Sequence, residues 1–168
     1  MIRNQFRILK IDLSSGKGVY ESVEGRETAA GGSGLAALLF IVYGHTDKPW
    51  DDPDQPIIFA IGPLTGYFPL MSKTVCAFKS PYHNQYAESQ GGGRSALALR
   101  FADVDALVIT GRANRLSILS IGSGHFDIRD AHFMREMDVF RTGRMLRRMF
   151  GSSGHRSILR IGPAGERG

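Results

Sequence analysis

Residues 6–23, FRILKIDLSSGKGVYESV, decide the expected fold. Apolar and polar residues alternate over residues 6–13, with the period of two that is typical of a half-buried β-strand. The apolar residues that share one face of this strand are Leu9, Ile11 and Leu13. Residues 14–18 favour a tight turn, and residues 19–23 can return beside the first strand. The stretch therefore predicts a β-hairpin.

The rest of the chain reads as short strands with a few helices between them. Further strands are predicted at residues 57–61, 74–79, 106–110, 116–121 and 126–129. Helices are predicted at residues 33–43, 94–101 and 139–150, with Gly44 at positive φ after the first and Asp138 as the N-cap of the last. Strands that arrive in hairpins, with few helices, predict an α+β fold in one domain, residues 1–168. The words IFAIGP at 58–63 and ILRIGP at 158–163 also suggest a duplication.

Composition limits the function classes. The longest apolar run, residues 35–43, is nine residues, whereas a membrane-spanning helix needs roughly 20. Charged residues at 3, 7, 10 and 12 interrupt any secretory signal. We therefore expect a cytoplasmic protein without a membrane segment.

The basic balance raises the question of nucleic-acid binding. The net charge is +5 and the pI is about 9.7. Sixteen of the 21 basic residues are arginines, spread over most of the chain with acidic residues between them. No aromatic stacking platform accompanies them. The pattern therefore favours a solvated surface, or a surface that meets an acidic missing part, over nucleic acid.

Residues for metal ligation or nucleophilic catalysis are scarce. Cys76 is the only cysteine, so neither an intrachain disulfide nor a cysteine metal site is expected. The five histidines, among them His155, show no i, i+4 pair. The carboxylates that could collect a hard cation, Asp51, Asp52 and Asp54, alternate with prolines and read more simply as a solvated loop. We predict no catalytic residue in this chain.

Two glycine-rich segments precede helices. Residues 32–37, GSGLAA, match a dinucleotide fingerprint, but residues 24–30 before them are not a strand, so close packing at a helix start is favoured. Around the second segment, residues 91–93, Lys73 and Arg94 add two cations. That combination suits an anion such as a phosphate, although a purely structural turn explains it equally well.

Several stretches together resemble one known family. They are ILKIDLSSGKG at 8–18, AGGSGLAALL at 30–39, IIFAIGPLTG at 57–66, ADVDALVITGRA at 102–113 and IGPAGE at 161–166. In this order and spacing they are similar to the N-terminal domain of the aldehyde ferredoxin oxidoreductase family, over essentially the whole chain.

The resemblance implies an enzyme that oxidises aldehydes with water to carboxylic acids. It implies tungsten or molybdenum held by two pterins (tungstopterin or molybdopterin), with electrons leaving through a [4Fe-4S] cluster to ferredoxin. The family's N-terminal domain forms a base of two β-sheet repeats. The cluster cysteines and acid–base residues belong to later domains, which we expect to be absent here, so the isolated chain should be inactive. The alternative is a standalone scaffold or interaction module that keeps the fold without the chemistry.

The resemblance also implies a site. Lys73 falls where the family has a pterin-contacting arginine, and Gly92 falls beside the pterin. Gln90 stands where a backbone carbonyl binds a magnesium ion that bridges the pterin phosphates. Arg94 replaces a residue that is commonly aromatic. Lysine keeps the charge but loses the two-pronged geometry of arginine.

A domain that supports pterins beneath other domains should expose apolar surface when it stands alone. The expected contributors are Tyr67, Phe68, Leu70 and Met71, with Met145 and Met149 as weaker candidates. We therefore expect a homo-oligomer, unless residues 67–71 fold back into the core.

The scarcity of ligands leads to a first prediction. The purified chain should contain no tungsten, molybdenum, iron or pterin, because it has one cysteine and only part of the pterin cradle. Elemental analysis of the purified protein measures this directly. A stoichiometric amount of any of these metals would show that the prediction is wrong.

Overall fold

Eight strands and five α-helices form the part of the chain that the computed structural model describes, residues 4–151 and 156–167 without the side chains of Arg26 and Thr28. His155, considered above as a ligand, and Arg3 lie outside these residues. The strands are β1 Gln5–Asp12, β2 Lys17–Glu24, β3 Ile57–Ile61, β4 Thr74–Lys79, β5 Tyr86–Gly91, β6 Ala106–Thr110, β7 Ser117–Gly122 and β8 His125–Asp130. The helices are α1 Arg26–Ala29, α2 Ser33–Tyr43, α3 Ser95–Phe101, α4 Val139–Met149 and α5 Pro163–Arg167.

The strands form two sheets of unequal size. Six of them make one sheet in the order β2-β1-β6-β3-β4-β5, and β7 and β8 make a separate hairpin. Strands β1 and β6 are parallel, and every other neighbouring pair is antiparallel. The α+β expectation is confirmed, because hairpins dominate and the helices only flank the sheets.

Strand β1 is buried on both faces. Its alternating sequence predicted burial of one face only. Phe6 and Ile8 pack in one cluster with Leu35 and Leu39 of α2. The residues of the other face, Leu9 and Ile11, pack in a second cluster with side chains of the β7–β8 hairpin. The hairpin and α2 thus cover opposite faces of the sheet, which the local pattern of β1 could not reveal.

One end of each long helix was predicted from sequence, the start of α4 at Asp138 and the end of α2 at Gly44, and only the first prediction is confirmed. Asp138 caps α4 as predicted, because its carboxylate accepts hydrogen bonds from the backbone amides of Phe140 and Arg141, both at 2.9 Å. These bonds, that from Arg141 foremost, lower the pKa of Asp138. Gly44, by contrast, ends α2 with extended backbone at φ −77°, so the expected positive φ is wrong. Glycine is needed there for space, because an added Cβ would lie 2.5 Å from the carbonyl oxygen of Phe40.

The two short sequences that suggest a duplication differ in secondary structure, although a β-hairpin and then a helix precede each of them. Residues 58–63 contain most of β3, whereas residues 158–161 form no strand and lead into α5. Ile158 packs instead beside Leu146 of α4. None of the described helices is long and apolar enough to cross a membrane.

A buried lysine ties the loop after α2 to the sheet. Lys79, at the end of β4, is only 5% exposed. Its ammonium donates hydrogen bonds to the backbone carbonyl oxygens of His45, Thr46 and Lys48. The Gln55 side chain binds the same loop, accepting from the amide of His45 and donating to the carbonyl oxygens of His45 and Lys48.

We predict that Lys79→Met lowers the free energy of unfolding by about 1–3 kcal/mol, because three backbone carbonyl oxygens of the loop lose a charged donor. Lys17→Met is the matched control, because Lys17 is exposed and its loss should change stability by less than about 0.5 kcal/mol. Urea denaturation followed by circular dichroism measures both. Equal effects of the two substitutions would show that the hydrogen bonds from Lys79 to the loop do not stabilise the fold.

Candidate functional site

Three glycine-containing segments meet at one end of the large sheet. Strand β3 ends there at Ile61, which pairs with Thr74 at the start of β4, and Thr74 pairs in turn with Gly91 at the end of β5. The three segments are residues 31–32 before α2, residues 62–66 after β3 and residues 91–93 after β5. We call this surface the glycine end.

The first two segments are packed directly on each other. The amide of Gly32 donates to the carbonyl oxygen of Ile61 at 2.9 Å. An added Cβ on Gly31 would lie 2.7 Å from Cδ of Pro63, and one on Gly34 would lie 2.1 Å from the carbonyl oxygen of Ala29. These contacts account for the glycines by close packing, as the sequence analysis favoured over a dinucleotide site.

The third segment, residues 91–93, has open space beside its backbone. An added Cβ on Gly91, Gly92 or Gly93 would meet no atom within 4 Å. Gly93 also has φ +93°, a backbone conformation that favours glycine. A bulky group can therefore approach this backbone closely without displacing a side chain.

The residues predicted from sequence lie side by side here. Ser72 Oγ donates to the carbonyl oxygen of Gly93 at 3.3 Å, and Thr74 pairs with Gly91. Lys73 therefore lies opposite Gly92. Gln90 is the last residue but one of β5, and Arg94 directly follows the glycine segment.

The two cations at the glycine end are available to a ligand. Lys73 and Arg94 are both exposed, and neither forms an ion pair with any residue in the described ranges. Helix α3 begins at Ser95, one residue later than predicted. Its start is tied to β4 by a hydrogen bond of 2.7 Å between Ser95 Oγ and Thr74 Oγ1. The electrostatics and the open backbone together suit an anionic ligand.

Strand β5, which the sequence analysis missed, places a carboxylate beside the site. Glu88 accepts hydrogen bonds from Ser33 Oγ at 2.9 Å, from Gln90 Nε2 at 3.2 Å and from the Tyr86 hydroxyl at 3.0 Å. These donors, Ser33 foremost, lower the pKa of Glu88. Burial and the neighbouring Glu88 raise the pKa of Tyr86 to about 12. The network joins the start of α2 to the strand that leads into the glycine segment.

The only sequence signal for this network is the spacing of Tyr86, Glu88 and Gln90. Positions two apart share a face of a strand. Ser33 is 55 residues from Glu88, so their contact depends on tertiary pairing alone. The polar composition of β5 is ordinary for an edge strand, which carries no apolar pattern to mark it.

A second contact missed from sequence fixes the segment after β3. Arg100 Nη2 donates to the Tyr67 hydroxyl at 2.6 Å, and the guanidinium lies 4.9 Å from the centre of the Tyr67 ring. Arg100 Nη1 also lies 3.3 Å from a carboxylate oxygen of Asp105. Residues 62–67 are thereby held against α3.

Beyond Tyr67 the chain exposes apolar side chains instead of folding back into the core. Phe68 is 58% exposed, Leu70 99% and Met71 51%. The alternative that these residues return to the core is therefore wrong. Of the two weaker candidates on α4, Met149 is 38% exposed and Met145 packs against the third apolar cluster.

Other candidate sites are not assembled in the described ranges. No group of three or more histidine, cysteine, aspartate or glutamate side chains could hold a metal ion there. Lys48 pairs with Asp52 and Asp54, which accounts for two of the loop carboxylates. Cys76 is partly exposed, and burial raises its pKa, which disfavours the reactive thiolate.

Comparison with known proteins identifies similar sequences along the whole chain. The family model described as aldehyde ferredoxin oxidoreductase, N-terminal domain, matches residues 8–168. The tungsten-containing aldehyde ferredoxin oxidoreductase of Pyrococcus horikoshii is 32% identical over 164 residues, which are 95% of this chain and 27% of that protein. The enzyme of the same description from Pyrococcus furiosus is 32% identical over 172 residues, which are 99% and 28%. The chain thus spans about a quarter of the length of these curated relatives.

A solved structure shares the fold. It is the active site complex BamBC of benzoyl coenzyme A reductase in complex with 1,5-dienoyl-CoA, with a TM-score of 0.81 and 24% sequence identity. The match covers 89% of this chain and 24% of that chain. The α+β arrangement therefore recurs as one part of a larger protein.

The exposed segment leads to a prediction about association. We expect the chain to form a homodimer or larger assembly, with Phe68 and Leu70 in the contact, because such side chains are seldom left in water as a group. Light scattering over a concentration series measures the mass. A monomer of 18.4 kDa at every concentration would contradict association.

The residues named are tested by the double variant Phe68→Ser with Leu70→Ser, which should shift the assembly toward monomer. Val19→Ser with Ile41→Ser is a matched control, because these apolar side chains are also exposed, at 57% and 79%, on other elements. An unchanged assembly in the first variant would exclude Phe68 and Leu70 from the contact.

Proposed function

The chain belongs to the aldehyde ferredoxin oxidoreductase family, in the part described as its N-terminal domain, and on this premise we propose that it is the pterin-binding domain of an enzyme that oxidises aldehydes. The overall reaction converts an aldehyde and water into a carboxylic acid, two protons and two electrons. The observation that supports the proposal is the glycine end, where an open backbone segment is flanked by Lys73 and Arg94, two cations without an ion pair among the residues that the structure describes.

The residues at the glycine end fit a large anionic cofactor such as a pterin that carries phosphates. Gly91 and Gly92 leave room for a flat ring system against the backbone. Lys73 and Arg94 can each neutralise a phosphate, Lys73 as a single donor and Arg94 with a two-pronged guanidinium. When bound, the tungsten or molybdenum centre supplies the two-electron oxidation.

Gln90 has a separate role in the proposal. Its side-chain amide is engaged with Glu88, so its backbone carbonyl oxygen would be the atom that holds magnesium beside the cofactor. Magnesium prefers oxygen ligands and usually combines a few protein oxygens with phosphate oxygens and water. The Glu88 network holds β5 in the position that this contact requires.

The role of this chain is to bind and orient, and we assign it no catalytic residue. The acid–base groups, the [4Fe-4S] cluster and the docking of ferredoxin belong, in this proposal, to the remaining length that the relatives have. The alternative is a standalone module that has lost the chemistry. This alternative rests on the departures from the family's pattern at Lys73, Gln90 and Arg94.

We predict that Lys73→Ala in the full-length enzyme weakens retention of the metal and pterin by about tenfold, the value of roughly one charge-assisted hydrogen bond. Arg115→Ala is the control, because Arg115 follows β6 at the opposite end of the sheet, where it lies 3.5 Å from Asp130. Metal and pterin contents of both variants, measured after dialysis, give the answer.

The outcomes separate the two functions. Loss of the cofactor in the Lys73 variant alone supports the pterin site. Equal cofactor contents in the two variants would contradict the assignment of Lys73. A full-length protein that takes up neither metal nor pterin would favour the scaffold.

A further inference from the structure

Two places at the glycine end have the backbone geometry to receive a phosphate. One is the glycine segment at residues 91–93, beside Lys73 and Arg94. The other is the start of α2, where residues 32–37 match the dinucleotide fingerprint. Close packing accounts for the glycines on either side of Gly32, but an added Cβ on Gly32 itself would meet no atom within 4 Å. The packing therefore leaves room for an anion at the start of α2 as well.

The start of α2 has hydrogen-bond donors that the fold does not use. No side chain caps the helix, and its first turn contains no acidic residue. In the described part of the chain, the backbone amides of Ser33, Gly34 and Leu35 have no hydrogen-bond acceptor. The aligned peptide dipoles also give the start of a helix a partial positive charge. These local features, taken alone, favour a phosphate at this place.

Glu88 places a carboxylate at the start of α2. It belongs to β5, 55 residues further along the chain, and its Oε1 accepts a hydrogen bond from Ser33 Oγ at 2.9 Å. Ser33 is the first residue of α2, so the carboxylate lies beside the amides of the first turn. Hydrogen bonds from the Tyr86 hydroxyl and from Gln90 Nε2 hold it there. These bonds, that from Ser33 foremost, lower the pKa of Glu88, so the carboxylate is ionised at neutral pH.

Distance separates the effects of Glu88 on the two places. Glu88 precedes Gly91 by three residues on β5, which is a distance of about 10 Å along an extended strand. The Debye length in 0.1 M salt is also about 10 Å, so Glu88 repels an anion at residues 91–93 only weakly. An anion at the first turn of α2 would instead come into direct contact with the carboxylate. The repulsion there is strong, because salt screens adjacent charges little.

The charges beside the glycine segment have the opposite sign. Lys73 lies opposite Gly92, and Arg94 directly follows the segment. Neither cation forms an ion pair with a residue in the described ranges, so both are available to neutralise a phosphate. The two places thus share glycines and free backbone, but one carries a carboxylate and the other two cations.

We propose that Glu88 determines where the glycine end accepts an anionic ligand. Its carboxylate acts as an intramolecular anion at the start of α2, keeps phosphate away from the fingerprint at residues 32–37, and confines phosphate to residues 91–94, beside Lys73. A like charge at the wrong position is an effective way to reject a competing binding mode. The inference rests on the proposed function only for the identity of the ligand at residues 91–94.

The test is a titration of the isotope-labelled whole chain with pyrophosphate, without magnesium, in about 0.1 M salt. Backbone amide shifts in NMR spectra report residues 33–35 and residues 91–94 separately. In the unmodified chain, saturating shifts should occur only at residues 91–94. Glu88→Gln keeps the size of the side chain and removes its charge, so it should lower the dissociation constant at residues 33–35 by at least about fivefold. At residues 91–94 it should change the constant by less than about twofold.

Glu24→Gln is the matched control. Glu24 is an exposed carboxylate on β2, the outer strand at the opposite edge of the sheet. The same loss of charge there should change neither dissociation constant by more than about twofold. Glu88→Ala removes the charge together with the hydrogen bonds and serves as a second variant. Circular dichroism checks that each variant is folded.

The outcomes at residues 33–35 decide the role of Glu88. An unchanged dissociation constant there in both Glu88 variants would overturn the proposal. So would an equal gain in Glu24→Gln, which would reveal a general effect of net charge, or shifts at residues 33–35 of the unmodified chain as large as those at residues 91–94. If no protein shows a shift at residues 91–94, the proposed function is contradicted instead, and the gain at residues 33–35 still decides whether Glu88 excludes phosphate from α2.

Discussion

The parallel pairing of β1 with β6 is the constraint on which the rest of the structure depends. It brings together residues 98 positions apart, and Asp105 secures it: its carboxylate accepts from the amide of Arg7 at 2.9 Å, while its own amide donates to the carbonyl oxygen of Arg7 at 2.8 Å. Closing so long a loop costs entropy, which the burial of β1 on both faces offsets. The chain between the two strands must leave β1 and return to the end of the sheet where β6 begins. The three glycine segments lie at that same end, where the pairing of β3 with β4 and of β4 with β5 brings them together.

Much of the fold can be predicted from the sequence because apolar runs are local signals. The bounds of β3, β4 and β6 were predicted correctly, and so was the capping of α4 by Asp138. The misses have physical causes. Strand β5 lies at an edge and has no apolar pattern, and the second buried face of β1 is created by a hairpin more than a hundred residues away in the chain. Gly44 was assigned to a positive φ, but its role is to make room for the backbone of Phe40.

In the candidate site too, residues could be predicted from sequence, whereas contacts between residues distant in the chain could not. Lys73, Gln90, Gly92 and Arg94 were named from sequence, and the structure brings them to one edge because β4 and β5 pair in register. Glu88 and its hydrogen bond from Ser33 were missed, since that contact needs the position of α2 relative to an unpredicted strand. The bond between Tyr67 and Arg100 was missed for a similar reason, because it depends on the packing of a turn against α3. The sequence identifies the candidate residues of the site, and the surrounding contacts that hold them follow only from the fold.

The two outer strands of the large sheet affect whether molecules associate by strand addition at high concentration. The outer strands are β2 and β5, and both carry carboxylates, Glu21 and Glu24 on one and Glu88 on the other. Charged side chains on an edge oppose the addition of a strand from another molecule, which is the first step towards fibres. The association that we predict therefore uses side chains such as those of the exposed segment after Tyr67, and not these two edges. The carboxylates of β2 and β5 thus protect the open sheet against becoming the template of a filament.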